Sequence, residues 1–534
     1  MNKLEVNRRA FLEFMGRGAA LTGLATLSSC ALPAKISEKT KNKQMTEDLT
    51  GPSNSDDFLT VAGIGWYPLI SWGQIINLKK DKFGFNNDFI AYTPINGSNE
   101  GVLWVNHEYP NPIFLHGEKD PFKKSRDQVL TEKANVGGSL IHVKMGTGDN
   151  KQYEIVKNSP YNRRIDATTH IPFDHPGKLL KHDFAVGTLA NCAGGVTPWG
   201  TILTCEENYD DYYGEWDFKN NKKTASSLGW DRYFDYSPLH YGWVVEVEPL
   251  TGKAIKRISL GRFAHECATV SKSADGKIVV YMGDDHNDEH IYKFISDNNN
   301  SLEKGTLYVA NLEKGEWLPL KYENSELLKK NFEGQIEVLI RAREASKLLG
   351  ATPLDRPEDV EIDPITKNIF ISLTDNKPKG NYFGSILKIE EVGGDHGSLR
   401  FKSSVFLAGG PETGFACPDN LCFDKKGNLW MTTDISGPEM NQGKYESFKN
   451  NGLFFIPMSG VNAGKALQVA SAPTDAELTG PCFSPDGKTL FLSVQHPGET
   501  SPDIFHVTSR WPSYSEGGIP KPTVICLYGP YFNS

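Results

Sequence analysis

Carboxylates and one cysteine recur in this sequence at the ends of strand-like runs, not within charged surface stretches. They are Glu108 in Val105-Asn106-His107-Glu108-Tyr109, Cys192 in Asn191-Cys192-Ala193-Gly194-Gly195, Glu206 and Glu207 after Leu203-Thr204-Cys205, and Glu266 in Phe263-Ala264-His265-Glu266. Arg356 and Glu358 follow in Asp355-Arg356-Pro357-Glu358-Asp359, then Asp419 in Cys417-Pro418-Asp419-Asn420, and Glu477 just ahead of Leu478-Thr479-Gly480-Pro481. Several carboxylates brought within ~6 Å of each other raise one another's pKa strongly unless cations neutralise them. Bound metal is the simplest resolution. Oxygen donors suit calcium, magnesium or ferric iron, whereas a thiolate in the same set favours a transition metal at its own position. A mixed cluster follows, with Cys192 on the transition metal. No histidine-rich pattern points to catalytic zinc.

Plainer readings stand beside these. Cys192 among small residues also fits a buried thiol. Glu206 and Glu207 alternate faces on a strand, so one of them is expected to be structural or solvated. His265 is expected to support Glu266 through a hydrogen bond, and His107 and His496 to be structural. Arg356 could pair with Asp355 or Asp359, while Asp424 and Asp486 sit in hairpin turns and are read as turn formers.

Something has to gather residues scattered from 108 to 477, and the sequence offers a repeated unit. Val360-Glu361-Ile362-Asp363-Pro364 leads to Asn368-Ile369-Phe370-Ile371-Ser372, and Leu421-Cys422-Phe423-Asp424-Lys425-Lys426-Gly427 leads to Asn428-Leu429-Trp430-Met431-Thr432. Cys482-Phe483-Ser484-Pro485-Asp486-Gly487 leads likewise to Thr489-Leu490-Phe491-Leu492-Ser493, and Ala274-Asp275-Gly276-Lys277 and Leu250-Thr251-Gly252-Lys253 resemble further copies. β-Branched and aromatic runs around such turns are hairpins. The last three full copies recur at intervals of about 60 residues, so the unit reads as a propeller blade, with about six copies in the chain. If each carboxylate starts the innermost strand of its blade, one carboxylate per blade converges on the mouth of the central channel. The predicted fold class is all-β, a six-bladed β-propeller with long loop and short helical insertions. Residues 322–347 are the best helical candidate, whereas 109–133 and 208–239 read as long loops of the kind that carry function. The run Thr523-Val524-Ile525-Cys526-Leu527 is expected to close the ring by pairing with a strand of the first blade.

Composition agrees. Hydrophobic residues make up 38 %, enough for a large core, and the 51 glycines and 31 prolines suit many short strands. A formal charge of −9 offers no basic excess for nucleic acid and fits a protein that holds cations. Asn7-Arg8-Arg9-Ala10-Phe11-Leu12 precedes a weakly apolar stretch at 19–27, which reads as a twin-arginine export signal and is too short to span a bilayer. Leu27-Ser28-Ser29-Cys30 resembles a lipobox, in which Cys30 would carry a lipid anchor. The expected organisation is therefore residues 1–30 as signal, 31–55 as a flexible polar tether, and 56–534 as one propeller domain. The protein would be periplasmic, or membrane-anchored through Cys30 and reaching the cell surface. Cysteines 192, 205, 267, 417, 422, 482 and 526 remain after processing, an odd number with no Cys-x-x-Cys pair, which supports neither a zinc ribbon nor a complete disulfide framework.

The run from Asn191-Cys192-Ala193-Gly194-Gly195-Val196-Thr197-Pro198-Trp199-Gly200-Thr201 to Thr204-Cys205-Glu206-Glu207-Asn208 resembles the signature of PhoX-type alkaline phosphatases. Phe263-Ala264-His265-Glu266, Asp355-Arg356-Pro357-Glu358, Pro418-Asp419-Asn420-Leu421, and Thr479-Gly480-Pro481-Cys482-Phe483 with Gln495-His496-Pro497-Gly498-Glu499 are similar to its other signatures, in order. The resemblance implies an exported six-bladed propeller that releases phosphate from small-molecule phosphomonoesters, acts as a monomer, and holds two ferric ions, three calcium ions and a bridging oxo group at the channel mouth. It implies Cys192 as an iron ligand, Glu207, Glu266 and Glu358 as ligands to iron and calcium, and Asp419 and Glu477 as calcium ligands. Arg356 would hold phosphate oxygens, and Cys192, Glu266, Glu358 and Arg356 together would form the catalytic set. A calcium-dependent propeller lactonase or esterase, and a non-catalytic propeller holding structural calcium, are the alternative readings.

Overall fold

The computed structural model describes residues 48–147, 151–175, 180–515 and 517–532. Arg8, Arg9, Cys30 and residues 31–47 of the expected tether lie outside the described residues.

Six antiparallel sheets radiate from a central channel as blades 1 to 6, with innermost strands Asn87–Pro94, Asn191–Val196, Thr269–Lys272, Pro357–Ile362, Pro418–Phe423 and Glu477–Phe483. Each innermost strand packs beside the next, and the sixth beside the first, so the ring is complete. The local cause is the turn chemistry visible in the sequence. Asp363, Asp424 and Asp486 accept hydrogen bonds from the backbone or side chains of their own hairpins, Ser484 Oγ donating to Asp486, so these acids are turn formers. The 273–277, 363–368, 424–428 and 484–488 turns all join an innermost strand to its neighbour, whereas the Leu250-Thr251-Gly252-Lys253 turn joins the third and fourth strands of blade 2. Second strands such as Thr489–Gln495 are buried along their whole length because blades pack on both faces, which is why they read as unbroken apolar runs.

Blades are also stitched by polar contacts near the axis. Asn106 Nδ2 in blade 1 donates to the Cys192 carbonyl of blade 2, the Leu421 amide of blade 5 donates to Asp359 of blade 4, and the Gly480 amide of blade 6 donates to Asn420 of blade 5. Ser493 Oγ returns the chain of contacts from blade 6 to the Asp88 carbonyl of blade 1.

Closure differs from the expected pairing. Thr523–Tyr528 is the third strand of blade 6 and pairs with Gly65–Ser71, which is the outer strand of that same last blade and not part of the first. Leu59–Thr60 adds an edge to blade 5. Residues 48–55, read from the sequence as the end of the tether, lie against that blade: Leu49 is 3 % exposed and the Ser53 carbonyl accepts from the Asn450 amide.

The insertions are more ordered than their polarity suggests. The segment 109–133, expected as a loop, contains the helix Pro112–His116 and most of the helix Arg126–Asn135, the latter opened by a capping box between Ser125 and Gln128. The 208–239 segment holds the short helix Asp210–Tyr213 and a two-stranded ladder. Its aromatics Tyr213, Trp230, Phe234 and Tyr236 surround the Lys133 ammonium at 5.0 to 5.4 Å, which docks one insertion on the other. Aromatics that pack around a cation do not show helical periodicity, so the pattern concealed this cluster. Residues 322–347 are helical as expected, in the helices Glu326–Asn331, Gln335–Ile340 and Ala342–Leu349. No helix among the described residues is long and apolar enough to cross a membrane.

Candidate metal centre

One backbone device recurs around the channel. Asn86, Ala190, Arg356, Cys417 and Asp475 adopt left-handed backbone at φ 42°, 52°, 50°, 52° and 61°. Two residues beyond each stands Asp88, Cys192, Glu358, Asp419 or Glu477. The first four of these lie inside a register shift between the innermost strand and its neighbour, and Glu477 stands just ahead of one. A bulge bends its strand and re-aims a side chain, and left-handed backbone at non-glycine residues persists where the surroundings over-determine it. Here the device turns a strand-end side chain into the channel mouth. Glu266 of blade 3 arrives without it, after an isolated bridge between His265 and Asp284.

These side chains line a cavity of about 210 Å³ together with Glu108, Glu207, Asp285, Asp434 and Glu499, ten carboxylates in all, against the guanidinium of Arg356 and the imidazole of His496. Three groups bring ligand atoms within 4.8 Å of one another: Asp88, Glu108 and Cys192; Cys192, Glu207 and Glu266; Glu266, Glu358 and Asp419. Cys192 and Glu266 each belong to two groups, so the three are contiguous. Cys192 Sγ lies 3.1 Å from Glu266 Oε1 and 3.3 Å from Asp88 Oδ2.

Charge is poorly compensated there. Burial, followed by the charges of neighbouring acids, pushes Asp88, Glu207, Glu266, Asp419 and Glu477 well above the usual carboxylate range. Burial likewise raises Glu358 against the counter-pull of Arg356, and raises Glu108 to about 7. Burial and the adjacent Asp88 and Glu266 push up the Cys192 thiol. Asp88 Oδ1 is buried without a hydrogen-bond partner. Oxygen donors at this density, one carrying an idle lone pair and joined by a thiol, fit several cations: metal charge would reverse each of these shifts and deprotonate the thiol.

The structure therefore gathers every residue expected to hold metal, namely Cys192, Glu207, Glu266, Glu358, Asp419 and Glu477, and separates Glu206 from them. Glu206 is buried away from the cavity, ion-paired to Lys256 at 2.6 Å and accepting from the Gly242 and Trp243 amides. Replacing Lys256 by Met strands that carboxylate, with an expected cost of about 3–5 kcal/mol in urea unfolding and an unchanged turnover per folded molecule.

Two plainer expectations change, those on His265 and Arg356. His265 does not bond Glu266; its Nε2 bonds the Gly261 carbonyl and its ring stacks on Phe263 at 3.6 Å, with burial lowering its pKa to about 3. His496 lines the cavity, with Nε2 3.2 Å from Glu477 Oε2, and although burial opposes it, the charges of Glu499, Asp434 and Glu108 raise its pKa. Arg356 pairs with neither Asp355 nor Asp359. Its Nε and Nη2 donate to Asp285 Oδ1 and Oδ2 at 2.9 and 2.7 Å, and Nη2 lies 2.8 Å from Glu358. Buried His107, bonded to the Phe85 carbonyl and Ser139, is structural as expected.

Sequence reasoning missed Asp88, Asp285, Asp434 and Glu499. Asp88 carried a usable signal, since Asn86, a residue type that tolerates left-handed backbone, stands two positions before it at the head of an apolar run. The other three follow the second strands of blades 3, 5 and 6 as Glu108 and Glu207 follow those of blades 1 and 2, and the Asp434 amide donates to the Cys417 carbonyl as those of Glu108 and Glu207 donate to Asn86 and Ala190. All seven cysteines among the described residues are free thiols.

Fold and site together define a six-bladed propeller whose channel mouth is a carboxylate and thiol cage suited to metal. The family profile described as alkaline phosphatase PhoX matches residues 49–498. Among solved structures, Pseudomonas fluorescens PhoX in complex with vanadate, a transition state analogue, is 30% identical with a TM-score of 0.80, over 90% of this chain and 97% of that one. A Dyadobacter fermentans protein of unknown function is 12% identical with a TM-score of 0.41, over 88% of this chain and 100% of that one. Curated proteins yield no match. The chain belongs to the PhoX family of alkaline phosphatases.

Proposed function

We propose that this chain is an exported phosphomonoesterase that hydrolyses small-molecule phosphoesters at the channel mouth, with iron held at Cys192 and calcium among the carboxylates. The observation that carries the reading is the contiguous set of three donor groups with a single cysteine at its centre, close to a clamped arginine. Cys192, Glu207 and Glu266 would hold the transition metal, and Glu266, Glu358, Asp419 and Glu477 would hold the harder cations, with Asp88 and Glu108 added to the expected set. When bound, the ions supply positive charge to the phosphoryl oxygens and to the attacking oxygen.

The protein's own contribution is orientation. Asp285 occupies the Nε–Nη2 edge of Arg356 and Glu358 approaches Nη2, so Nη1, 4.0 Å from Asp375, is the donor left for a phosphate oxygen. The two-pronged phosphate contact expected from an arginine is thus replaced by a single oriented donor. Arg356→Gln is expected to raise KM for p-nitrophenyl phosphate and the inhibition constant of inorganic phosphate by about 10- to 100-fold, a loss typical of a charge-assisted contact. Equal constants in wild type and variant would remove Arg356 from substrate binding.

Elemental analysis of the purified chain beside a panel of phosphomonoesters, phosphodiesters, lactones and carboxyl esters tests the whole reading. Iron with calcium and monoester turnover is the expected result. Calcium alone with lactone or ester turnover would establish the lactonase reading, and calcium without turnover a binding propeller; neither rival gives Cys192 a role. Export through Arg8 and Arg9, and anchoring through Cys30, belong to the same proposal and rest on the sequence motif.

A further inference from the structure

The helical insertion at 326–349 has no part in the chemistry described so far, yet its last helix reaches the arginine clamp through one ion pair. Arg343, in the helix Ala342–Leu349, grips Asp284 with Nε at 2.9 Å from Oδ2 and Nη2 at 2.5 Å from Oδ1, and Asp284 is fully buried. One residue further, Asp285 holds both Nε and Nη2 of Arg356. The same helix anchors the far end of this turn, with Lys347 2.5 Å from Glu289, and the strand Asn287–Glu289 pairs with Leu354–Asp355, the residues leading into Arg356. The turn carrying Asp285 and the segment carrying Arg356 are thereby tied to one insertion, although Asp285 comes from the top of blade 3 and Arg356 from the start of blade 4.

We propose that Arg343 is a positioning residue for phosphate binding: by fixing Asp284 it sets Asp285, and through Asp285 it aims Nη1 of Arg356 into the cavity. This rests on the reading of Arg356 as the phosphate-holding residue. Arg356 sits in left-handed backbone and its side chain is partly exposed, so its direction depends on such external restraint. A displacement of about 1 Å in a substrate-positioning group is enough for large losses in rate or affinity.

The test measures KM and kcat for p-nitrophenyl phosphate and the inhibition constant of inorganic phosphate in Arg343→Lys, which keeps the charge but loses the two-pronged grip. Arg343→Gln with Asp284→Asn removes both charges together and leaves no stranded carboxylate. Both are compared in the wild-type and Arg356→Gln backgrounds, at matched metal content and folded fraction. The expected result is a rise of about tenfold in KM and in the phosphate constant with kcat changed much less, and no further rise in the Arg356→Gln background, because residues acting through one group are not additive. Unchanged constants, or losses that multiply in the Arg356→Gln background, overturn the proposal while leaving Arg356 in place. If Arg356→Gln alone changes neither constant, the phosphate-binding reading fails and the proposal falls with it.

Discussion

Cys192→Ser is expected to lose its iron before its calcium and to lower phosphatase turnover by orders of magnitude, with the propeller still folded. Cys192 is the only soft donor in the cavity, and a serine hydroxyl stays neutral where a metal-bound thiolate would be charged. Its Sγ lies 3.1 Å from Glu266 and 3.3 Å from Asp88, so the loss affects two of the three donor groups at once. The hairpins of all six blades bury their own apolar faces, and calcium can still bridge Glu266, Glu358 and Asp419, so cooperative unfolding should survive. A merely buried thiol behaves in the opposite way: serine would cost about 1–3 kcal/mol through an unsatisfied hydroxyl, with iron and turnover per folded molecule intact. Iron, calcium and rate measured on one sample separate the two. Full iron occupancy with full turnover would exclude Cys192 as a ligand.

Exhaustive chelation is expected to leave a protein whose stability falls as pH rises, the reverse of ordinary acid denaturation. In the metal-free state Glu108 is raised from 4.5 to about 7 by burial, and burial also pushes Asp88, Glu207, Glu266, Asp419 and Glu477 well above the usual carboxylate range. A carboxyl whose folded pKa is raised binds its proton more tightly in the folded state. Its contribution is fully present below the unfolded value near 4.5 and is lost as pH rises through the folded value. For Glu108 alone the loss between pH 4.5 and 7 is about 3 kcal/mol, and the other raised acids add to it with the same sign. Bound cations would hold the same carboxylates ionised, so the loaded protein should be flat or more stable over this window. Urea midpoints of loaded and chelated protein from pH 4.5 to 8 measure the difference; parallel profiles would show that the acids are not neutralised by metal.

The repeated blade, the strand-end position of the acids and six of the side chains that line the cavity were legible because they depend on local order. An Asp-Gly turn closes a hairpin whatever surrounds it, and a side chain at the head of the innermost strand in a propeller has only the channel mouth to face. Glu206 shows the limit of that reasoning. It and Glu207 are adjacent, both at a strand end, and only the presence of Lys256 from the outermost strand of blade 2 makes one a structural ion pair and leaves the other in the cavity.

Asp285 and Asp434 were not singled out, and Glu499 only as part of a signature run, because they follow the second strand of a blade, where the sequence shows no turn or alternation that aims a side chain, and their convergence needs the closed ring. The same holds for the pairing of Arg356. Its neighbours in sequence are Asp355 and Asp359, yet Asp355 is taken by Asn376 and Asn381, Asp359 by the Val360 and Leu421 amides, and the guanidinium turns to Asp285. By itself the sequence determined which residue types would stand at the channel mouth and which hairpins would carry them, since turn chemistry and strand alternation act over a few residues. Which acids share a cation, which lysine neutralises Glu206 and which way Arg356 points were decided only by the closed ring, because Coulomb interactions depend on distances between blades that no local pattern encodes.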